Sequence, residues 1–377
     1  MLNIIADENI LFAMEAFSNV GNVELVEGRK ISRSIIKDKD ILLVRSVTKV
    51  DKGLIANSNI KFVGTATIGS DHIDKSYLNS NNIFFSDAAG CNSDAVAEYV
   101  FTSIFEVLKN NLEIKGKTIG IVGHGNIGSR VANLSKALGL KVLVNDPPLK
   151  RMNQNLEFSE LDELMDADII TLHVPLNMGG PDSTIHLFDY SRLGKLKDGT
   201  VLINASRGQV IDNNALQKII DIKNLNVILD VWENEPNINT MLLEKVKIAT
   251  PHIAGYSYEG KVNGTVMIYN SLCEFLNIKP EWKPTQKQAE VLNLPERFDS
   301  LEGLLHKLFT KIFPIRNDDT DLRRILNFSE TEKGKYFDLL RKDYLLRKEF
   351  INYKIKKGNL TPDLLNTLNK FRFILEN

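Results

Sequence analysis

Three glycines at fixed spacing, directly after a short apolar run, restrict the folds open to this 377-residue chain. The segment Gly123-His-Gly-Asn-Ile-Gly128 follows the apolar run Thr118–Val122 and opens the amphipathic stretch Ile127–Leu138. In a βαβ unit the first glycine permits a tight turn, the second lets the backbone approach a pyrophosphate, and the third lets helix and strand pack closely. The motif predicts a dinucleotide-binding unit with the pyrophosphate at a helix N-terminus, and an ordinary glycine turn is the alternative.

Short apolar runs alternate with amphipathic stretches along the first 253 residues, a pattern typical of parallel α/β sheets. The predicted strands up to residue 90 are Leu2–Ala6, Val23–Val26, Ile41–Val44 and Lys61–Gly64, with helices at Ile10–Val20 and Asp51–Asn57. The predicted strands from 93 to 253 are Thr118–Val122, Lys141–Val144, Asp168–Val174, Thr200–Asn204, Val227–Val231 and Lys247–Ala249, with helices at Ile127–Leu138 and Asn214–Ile222.

The pattern changes near residue 280. Two prolines in Lys279–Pro284 indicate a linker, and the spacing of apolar residues in Leu301–Ile312 predicts an amphipathic helix. The fold class expected is therefore α/β, with two Rossmann- or flavodoxin-like parallel-sheet domains, a cleft between them and a small C-terminal α+β domain.

Charge and cysteine content exclude several other classes. Lysine plus arginine total 47 and aspartate plus glutamate 48, so nothing favours nucleic acid or an anionic membrane as a partner. No run approaches the roughly 20 apolar residues of a membrane span, and the N-terminus lacks the pattern of a signal peptide. Cys91 and Cys273 lack metal-ligand spacing, so we expect a cytoplasmic protein without a metal site.

An aspartate placed after the second strand of the dinucleotide unit predicts the choice of cofactor. Asp146 lies 18 residues beyond Gly128, where a carboxylate can bind both ribose hydroxyls and would repel a 2′-phosphate. No arginine adjoins it, so NAD is favoured over NADP. A capping aspartate is the alternative.

Polar residues follow three later strands in order. They stand in Val201-Leu-Ile-Asn-Ala-Ser-Arg-Gly208, Leu229-Asp-Val-Trp-Glu-Asn-Glu-Pro236 and Ile248-Ala-Thr-Pro-His-Ile-Ala-Gly255. Because open parallel sheets bind ligands at the carboxyl ends of their strands, these residues are candidates for one site. Taken singly, each has a structural explanation: a surface ion pair, a solvated loop residue or a buried histidine.

The glycine loop and these three motifs together resemble the D-isomer-specific 2-hydroxyacid dehydrogenases. The resemblance implies a catalytic set of Arg207, Glu235 and His252, with His252 as proton donor and acceptor, Glu235 orienting it and Arg207 binding the substrate carboxylate. It also implies that Asp230 holds the nicotinamide carboxamide. His173 is expected to line the cofactor cleft rather than to transfer protons.

Two N-terminal motifs, Leu43-Val-Arg-Ser-Val-Thr-Lys-Val50 and Phe62-Val-Gly-Thr-Ala-Thr-Ile-Gly-Ser-Asp-His-Ile-Asp74, narrow the resemblance together with Asp230-Val-Trp232 and His252-Ile-Ala-Gly-Tyr-Ser257. They are similar to one branch of this family, which oxidises 4-phospho-D-erythronate during the synthesis of pyridoxal 5′-phosphate. The charged segment Phe337–Phe350 is also similar to the C-terminal extension of that branch. The substrate-binding residues so implied are Ser46, Thr67 and Tyr256. Arg45 and Lys49 are our own candidates for the phosphate, because that group needs cationic partners; Arg45 could equally neutralise a carboxylate between domains.

The resemblance also implies the remaining sites and the domain division. The residues expected to bind NAD are Gly123, Gly125, Asn126, Ile127, Gly128, Asp146, Val174, Asp230 and Gly255. Relatives often have threonine where Val174 stands, so one hydroxyl contact to NAD is expected to be missing. The expected domains are a substrate-binding domain (1–92 and 254–284), an NAD-binding domain (93–253) and a C-terminal domain (285–377) that forms a homodimer, unless its apolar helix face packs within the chain.

Two other functions remain open at this stage. Another member of the family, such as a 3-phosphoglycerate dehydrogenase, also takes a phosphorylated 2-hydroxy acid. An NAD-sensing protein of the corepressor type would retain the same site without turnover.

Overall fold

The computed structural model describes residues 1–110, 113–153, 157–285, 288–294, 298, 300–356 and 360–376. The chain divides into two compact units, each built from two segments. The first unit comprises Met1–Asn92 and Ser257–Lys287, and the second comprises Ser93–Tyr256 and Gln288–Asn377.

Strands and helices alternate through most of both units. The strands are β1 Leu2–Asp7, β2 Gly21–Val26, β3 Ile41–Val44, β4 Phe62–Thr65, β5 Phe84–Asp87, β6 Thr118–Val122, β7 Lys141–Asn145, β8 Ile169–Leu172, β9 Val201–Asn204, β10 Asn226–Leu229, β11 Ile248–Ala249, β12 Glu290–Leu292, β13 Tyr353–Lys356 and β14 Ile374–Glu376. The helices are α1 Ala13–Phe17, α2 Arg33–Ile36, α3 Lys52–Ile55, α4 Lys75–Ser80, α5 Ser93–Val107, α6 Asn126–Ala137, α7 Pro147–Met152, α8 Tyr190–Lys195, α9 Asn213–Ile222, α10 Thr240–Lys245, α11 Tyr258–Phe275, α12 Leu301–Ile312, α13 Ile315–Arg323, α14 Glu330–Lys342 and α15 Pro362–Lys370. Short 3₁₀ turns lie at Gly28–Lys30, Leu161–Leu164, Gly208–Val210, Arg324–Asn327 and Phe350–Asn352.

The first unit is a five-stranded parallel sheet in the order β2-β1-β3-β4-β5. Strands β3 and β4 are buried along their whole length, as expected for a parallel sheet covered on both faces. Helix α11, from the later chain segment, completes one side of the core: Ile268, Tyr269 and Leu272 pack with Ile4 and Phe62.

The second unit contains a six-stranded parallel sheet in the order β11-β10-β9-β8-β6-β7. Strand β6 lies between β7 and β8, so the chain passes from β6 to β7 on one side and then crosses back to β8 on the other, which makes the carboxyl ends of β6 and β8 the switch point of the sheet. In open α/β sheets such a reversal is where a ligand binds. The glycine loop follows β6 directly and opens α6.

The C-terminal segment adds a small parallel sheet, β12-β13-β14, and four helices to the second unit. Helix α12 packs on α5, where Phe309 meets Phe105 edge-to-face with ring centroids 5.3 Å apart. Phe309 also stacks on Phe350 at 4.8 Å. A buried ion pair also joins the C-terminal segment to α5: Arg347, which follows α14, donates to the Glu98 carboxylate at 2.8 Å.

The observed architecture confirms the predicted fold class, with two Rossmann-type parallel sheets and a small third sheet. Nearly every predicted strand is present within one or two residues. Strand β5 and the three strands of the small sheet were not predicted. In β5 only Phe84 and Phe85 are apolar, followed by Ser86 and Asp87, so the strand is not a continuous apolar run. Among the described residues, no helix is both long and apolar enough to cross a bilayer.

Candidate active site

His252 and Glu235 form a hydrogen-bonded pair in the second unit. The His252 Nδ1 atom lies 2.8 Å from Glu235 Oε2, and both side chains are only partly exposed. A carboxylate at Nδ1 fixes the ring so that Nε2 is the atom left to exchange a proton with a ligand. The pair is thus arranged as a general acid–base with its orienting group.

The backbone at His252 adopts a left-handed conformation, with φ of +58°. A non-glycine residue in this region is uncommon, and the surrounding structure has to hold it there. The His252 N–H donates to the Asp230 carbonyl at 2.7 Å, immediately beyond β10. The strained turn therefore places the imidazole at the carboxyl end of the sheet.

Asp230 holds the two residues that follow His252. Its carboxylate accepts hydrogen bonds from the N–H groups of Ile253 at 2.7 Å and Ala254 at 2.9 Å, and from the Thr250 hydroxyl at 2.7 Å. Burial raises the pKa of Asp230, although His252 and these hydrogen bonds act in the opposite direction. The described role of Asp230 is to anchor the histidine loop, and its contact to nicotinamide stays a prediction.

Glu235 is held as an ionised acceptor. Its second oxygen, Oε1, accepts from the Trp232 N–H at 2.9 Å. Burial raises the pKa of Glu235, but the nearby His252, its hydrogen bond and the Trp232 N–H outweigh burial, so the net pKa is lowered. The carboxylate is therefore charged at neutral pH and stabilises a protonated imidazole.

The sequence did not predict the buried residues that hold the loop before His252 in place. The Trp232 indole N–H donates to the Thr250 carbonyl at 3.1 Å, and the Tyr99 hydroxyl lies 2.8 Å from the Thr250 hydroxyl. Trp232 and Tyr99 are among the largest fully buried side chains of the protein. Their polar atoms could have been expected to need partners, but a sequence does not show which ones.

Arg207 stands on a loop fixed against the glutamate loop. The Asn204 amide donates to the Arg207 carbonyl at 2.9 Å, so the last residue of β9 ties down the turn. A Cβ added at Gly208 would meet the Trp232 backbone at 2.0 Å, so the two loops pack backbone to backbone. The Arg207 guanidinium donates to the Ser206 carbonyl at 2.8 Å.

The glycine loop fits a pyrophosphate. Gly123 has φ of +92°, and a Cβ at Gly128 would lie 1.9 Å from the Gly123 carbonyl, so both positions need glycine for the chain's own packing. At Gly125, by contrast, an added Cβ meets no described atom within 4 Å. The chain's own packing therefore does not require glycine at this position, and the open space is what the approach of a pyrophosphate to the N-terminus of α6 requires.

Asp146, directly after β7, accepts hydrogen bonds from both the following helix and the glycine loop. Its carboxylate caps α7 by accepting from the Leu149 N–H at 3.0 Å, and it accepts from the His124 N–H in the glycine loop at 2.7 Å. The predicted cofactor residue and the capping alternative are therefore both compatible with the structure.

The remaining predicted cofactor residues lie near this loop or after β11. Burial lowers the pKa of His173 to about 3, so its imidazole is neutral. Val174 follows it, and its side chain comes within 3.0 Å of a Cβ built on Gly123. Asn126 and Ile127 form the first turn of α6, and Gly255 lies three residues beyond His252.

The candidate substrate residues of the first unit follow β3 and β4. Ser46 is exposed and Arg45 half-buried, and the Thr67 hydroxyl lies 2.8 Å from that of Thr65. Lys49 is 81% exposed and pairs with Asp51 at 3.0 Å.

A basic residue that sequence reasoning missed lies near Arg45. Burial and the charge of Arg45 lower the pKa of Lys261 to about 8, with Asp7 acting in the opposite direction. Lys261 lies in the first turn of α11, far from Arg45 in sequence, and only the fold associates them.

Comparison with known proteins agrees with this geometry. Residues 96–254 match the family model for the NAD binding domain of D-isomer specific 2-hydroxyacid dehydrogenases, and residues 285–371 match a domain of unknown function. Erythronate-4-phosphate dehydrogenase of Pectobacterium carotovorum is 43% identical, over 97% of both chains. That of Photorhabdus laumondii is 42% identical, over 93% of both.

This chain belongs to the erythronate-4-phosphate dehydrogenase family. It is an NAD-dependent oxidoreductase, as predicted.

Two solved structures share most of the fold. D-lactate dehydrogenase from Aquifex aeolicus, complexed with NAD and lactic acid, is 26% identical with a TM-score of 0.61, covering 73% of this chain and 96% of that one. NAD⁺-bound 3-phosphoglycerate dehydrogenase from Entamoeba histolytica is 25% identical with a TM-score of 0.63, covering 76% and 99%. Both leave about a quarter of this chain unmatched.

Proposed function

We propose that this chain oxidises 4-phospho-D-erythronate at carbon 2 to (R)-3-hydroxy-2-oxo-4-phosphooxybutanoate, with NAD as hydride acceptor, in pyridoxal 5′-phosphate biosynthesis. The observation that carries the proposal is the Glu235–His252 pair at the carboxyl end of a dinucleotide-type sheet, in a chain matching relatives of that name over nearly its whole length. The corepressor-like alternative is not favoured by these matches.

The proton of the reaction goes to His252. As the C2–H bond breaks with its electron pair, the hydroxyl O–H also breaks, and we assign its proton to His252 Nε2. The imidazole becomes a cation, which the ionised Glu235 stabilises at 2.8 Å. When bound, NAD supplies the acceptor for the hydride.

Binding of the substrate's carboxylate falls to Arg207. A guanidinium binds a carboxylate with two parallel N–H donors, which orients carbon 2 as well as neutralising charge. The loop that carries it is fixed by Asn204 and by close packing at Gly208, so the cation is positioned before substrate arrives. We further propose Ser46, Thr67 and Tyr256 as substrate contacts.

The glycine loop, Asp146 and Val174 are the proposed cofactor contacts, with Asp230 and Gly255. N–H groups at the first turn of α6 would bind the pyrophosphate, and Asp146 would accept from the ribose hydroxyls. The His124 N–H already holds one Asp146 oxygen at 2.7 Å, which aims the carboxylate at the glycine loop.

We propose Arg45 and Lys261 as the cations for the substrate phosphate. Bringing two positive side chains together raises the free energy of the free protein, and a bound dianion removes that cost. The lowered pKa of Lys261 supports the pairing, because burial and Arg45 both disfavour its charged form until an anion binds. Lys49 is the weaker candidate, since its ammonium pairs with Asp51 at the surface.

The test compares NADH formation from 4-phospho-D-erythronate and 3-phosphoglycerate for the wild type and His252→Ala. A parallel assay contains a 2-oxo acid that reoxidises NADH held by the protein, and there the oxidised substrate is quantified instead of NADH. We expect turnover on the erythronate phosphate alone, and kcat lower by about 10²–10⁴-fold in the variant, the usual contribution of a general acid–base. Equal turnover of both substrates, or full activity without His252, would exclude this assignment.

Three further predictions stand as part of the proposal. The domain division is 1–92 with 254–284, 93–253 and 285–377, the last forming a homodimer. Light scattering at micromolar protein concentration tests the dimer. A measured mass equal to that of one chain would contradict it. A cytoplasmic location stays a prediction from the sequence.

A further inference from the structure

An arginine of the C-terminal segment reaches the loop that carries the proposed base. Arg341 lies in the last turn of α14, and its Nη2 atom is 3.4 Å from the hydroxyl oxygen of Tyr256. Tyr256 follows His252 by only four residues. Arg341 belongs to residues 285–371, which match a domain of unknown function and lie outside the matched NAD binding domain.

The guanidinium is close enough to residues of the candidate active site for their charges to act on it. Burial lowers the pKa of Arg341, but Tyr256, Glu235 and Asp230 more than offset it, and the net pKa is raised. In return, Arg341 is one of the charges that lower the pKa of Glu235, after the larger effects of His252 and Trp232. Arg341 is therefore a permanent cation that favours the ionised form of the proposed orienting carboxylate.

The direction of the hydrogen bond follows from chemistry alone. A guanidinium has only donors, so the Tyr256 oxygen accepts and the phenolic hydrogen has to point toward a different acceptor. The Tyr256 ring also packs edge-to-face against Tyr344, with centroids 5.8 Å apart. The C-terminal segment thus fixes both the position of this ring and the direction in which its hydroxyl donates.

A purely structural role explains this arrangement less well. An arginine in the last turn of a helix usually stays at the surface near the terminal carbonyls. Arg341 instead has its Nε buried without a hydrogen-bond partner among the described residues. A buried unsatisfied donor costs free energy, and the gain that offsets it here is charge placed beside Tyr256 and Glu235.

We propose that Arg341 is a positioning residue of the active site, acting through Tyr256 and Glu235. It holds the Tyr256 hydroxyl as a donor toward the substrate and keeps Glu235 ionised. The proposal rests on the function proposed above, in which Tyr256 contacts the substrate. It assigns to the C-terminal segment a part in catalysis within its own chain.

The experiment combines Arg341→Met, Arg341→Lys and Tyr256→Phe with the double variant Arg341→Met/Tyr256→Phe. Lys342→Met, at the exposed next position of the same helix, is the matched control. For each, kcat and KM for 4-phospho-D-erythronate are measured across pH, and the dissociation constant of NADH is measured by its fluorescence.

We expect Arg341→Met to raise KM about 10–100-fold, the range of a charge-assisted hydrogen bond, with NADH binding unchanged. The acid limb of kcat/KM should move to higher pH, because loss of a positive charge favours protonation of Glu235, whose pKa Arg341 helps to lower. Arg341→Lys should return the acid limb of kcat/KM to its wild-type pH and bring KM part of the way back to the wild-type value. In the Tyr256→Phe background, removing Arg341 should change KM less than about twofold, since the shared interaction is already lost.

Three outcomes would overturn the proposal. One is an additive double variant, and another is a change in unfolding temperature with unaltered kinetics and pH profile. The third is that Arg341→Met no longer prefers 4-phospho-D-erythronate over D-erythronate, and that this loss of preference also occurs in the Tyr256→Phe background. That result would make Arg341 a direct contact of the phosphate. If the wild type turns over a different 2-hydroxy acid instead, the proposed substrate is wrong. The same set of single and double variants, assayed with that acid, then tests the role of Arg341.

Discussion

At the scale of single residues, the loop that carries His252 is held by hydrogen bonds between the ends of separate strands. His252, Glu235 and Arg207 each follow a strand, and local sequence motifs predicted them as site residues. The φ of +58° at His252 and the three hydrogen bonds to Asp230 depend on how separate strands end next to one another. No local pattern encodes these contacts, so the sequence predicted a cofactor contact for Asp230 and did not predict its hydrogen bonds to the histidine loop.

The lowered pKa of Lys261 leads to a prediction for substrate binding. With a pKa of about 8, Lys261 is a cation below pH 8 and loses its proton above it. The positive charge that would bind the substrate phosphate is therefore present at low pH and lost as the pH rises above 8. We expect KM for 4-phospho-D-erythronate to increase about tenfold per pH unit above 8, as for a single titrating group.

The check is Lys261→Met, which should raise KM at pH 7 and remove the increase at high pH. Lys49→Met serves as the comparison, because that side chain is exposed and paired with Asp51. An effect on KM from Lys49→Met but not from Lys261→Met would move the phosphate to the surface lysine.

At the scale of elements, periodicity predicted the buried strands well because each is a continuous apolar run. Strands β3 and β6 and helix α12 have the bounds that their patterns predicted. Helix α5 was missed, although it is the most buried helix of the second unit. Because α5 is buried on nearly all sides and its buried residues include Glu98 and Glu106, it shows no single apolar stripe from which periodicity could identify it.

The turn between β6 and α6 separates two reasons for glycine. Gly128→Ala places a Cβ 1.9 Å from the Gly123 carbonyl, so we expect a loss of about 1–3 kcal/mol in the free energy of unfolding. Gly125→Ala meets no described atom within 4 Å and should leave stability within about 0.5 kcal/mol of the wild type.

NADH affinity should nevertheless fall about tenfold or more in Gly125→Ala, because the methyl group occupies the approach of the pyrophosphate. Urea unfolding and fluorescence titration with NADH measure the two effects on the same samples. Unchanged NADH affinity in Gly125→Ala would place the pyrophosphate elsewhere.

At the scale of the whole molecule, the C-terminal segment is part of the second unit's core. Phe309 is fully buried and contacts Phe105, Phe350 and Phe371, so one ring joins α12 to α5 and to the last elements of the chain. Sequence predicted the apolar face of α12 and left open whether it packs within the chain. The described contacts show that much of it does, while the homodimer stays a proposal.

We expect Phe309→Ala to lower the free energy of unfolding by about 3–5 kcal/mol, the usual cost of emptying a fully packed aromatic site. Denaturant unfolding, followed by tryptophan fluorescence and circular dichroism, measures it. Leu345→Ala is the control, since that side chain is 90% exposed and should change stability by less than about 0.5 kcal/mol. A loss below 1 kcal/mol for Phe309→Ala would show that the segment is not integral to this core.

The order in which the chain is made matters for a molecule divided in this way. The first unit begins at Met1, yet α11, which fills one side of its core, is synthesised only after residue 257. The second unit likewise awaits α12 and the residues after it. A ribosome that has reached residue 250 therefore carries two incomplete cores with exposed apolar sheet faces, a state prone to aggregation. Nascent chains of this protein should depend on chaperones until the last hundred or so residues emerge, and slower translation of that stretch should lower the yield of folded enzyme.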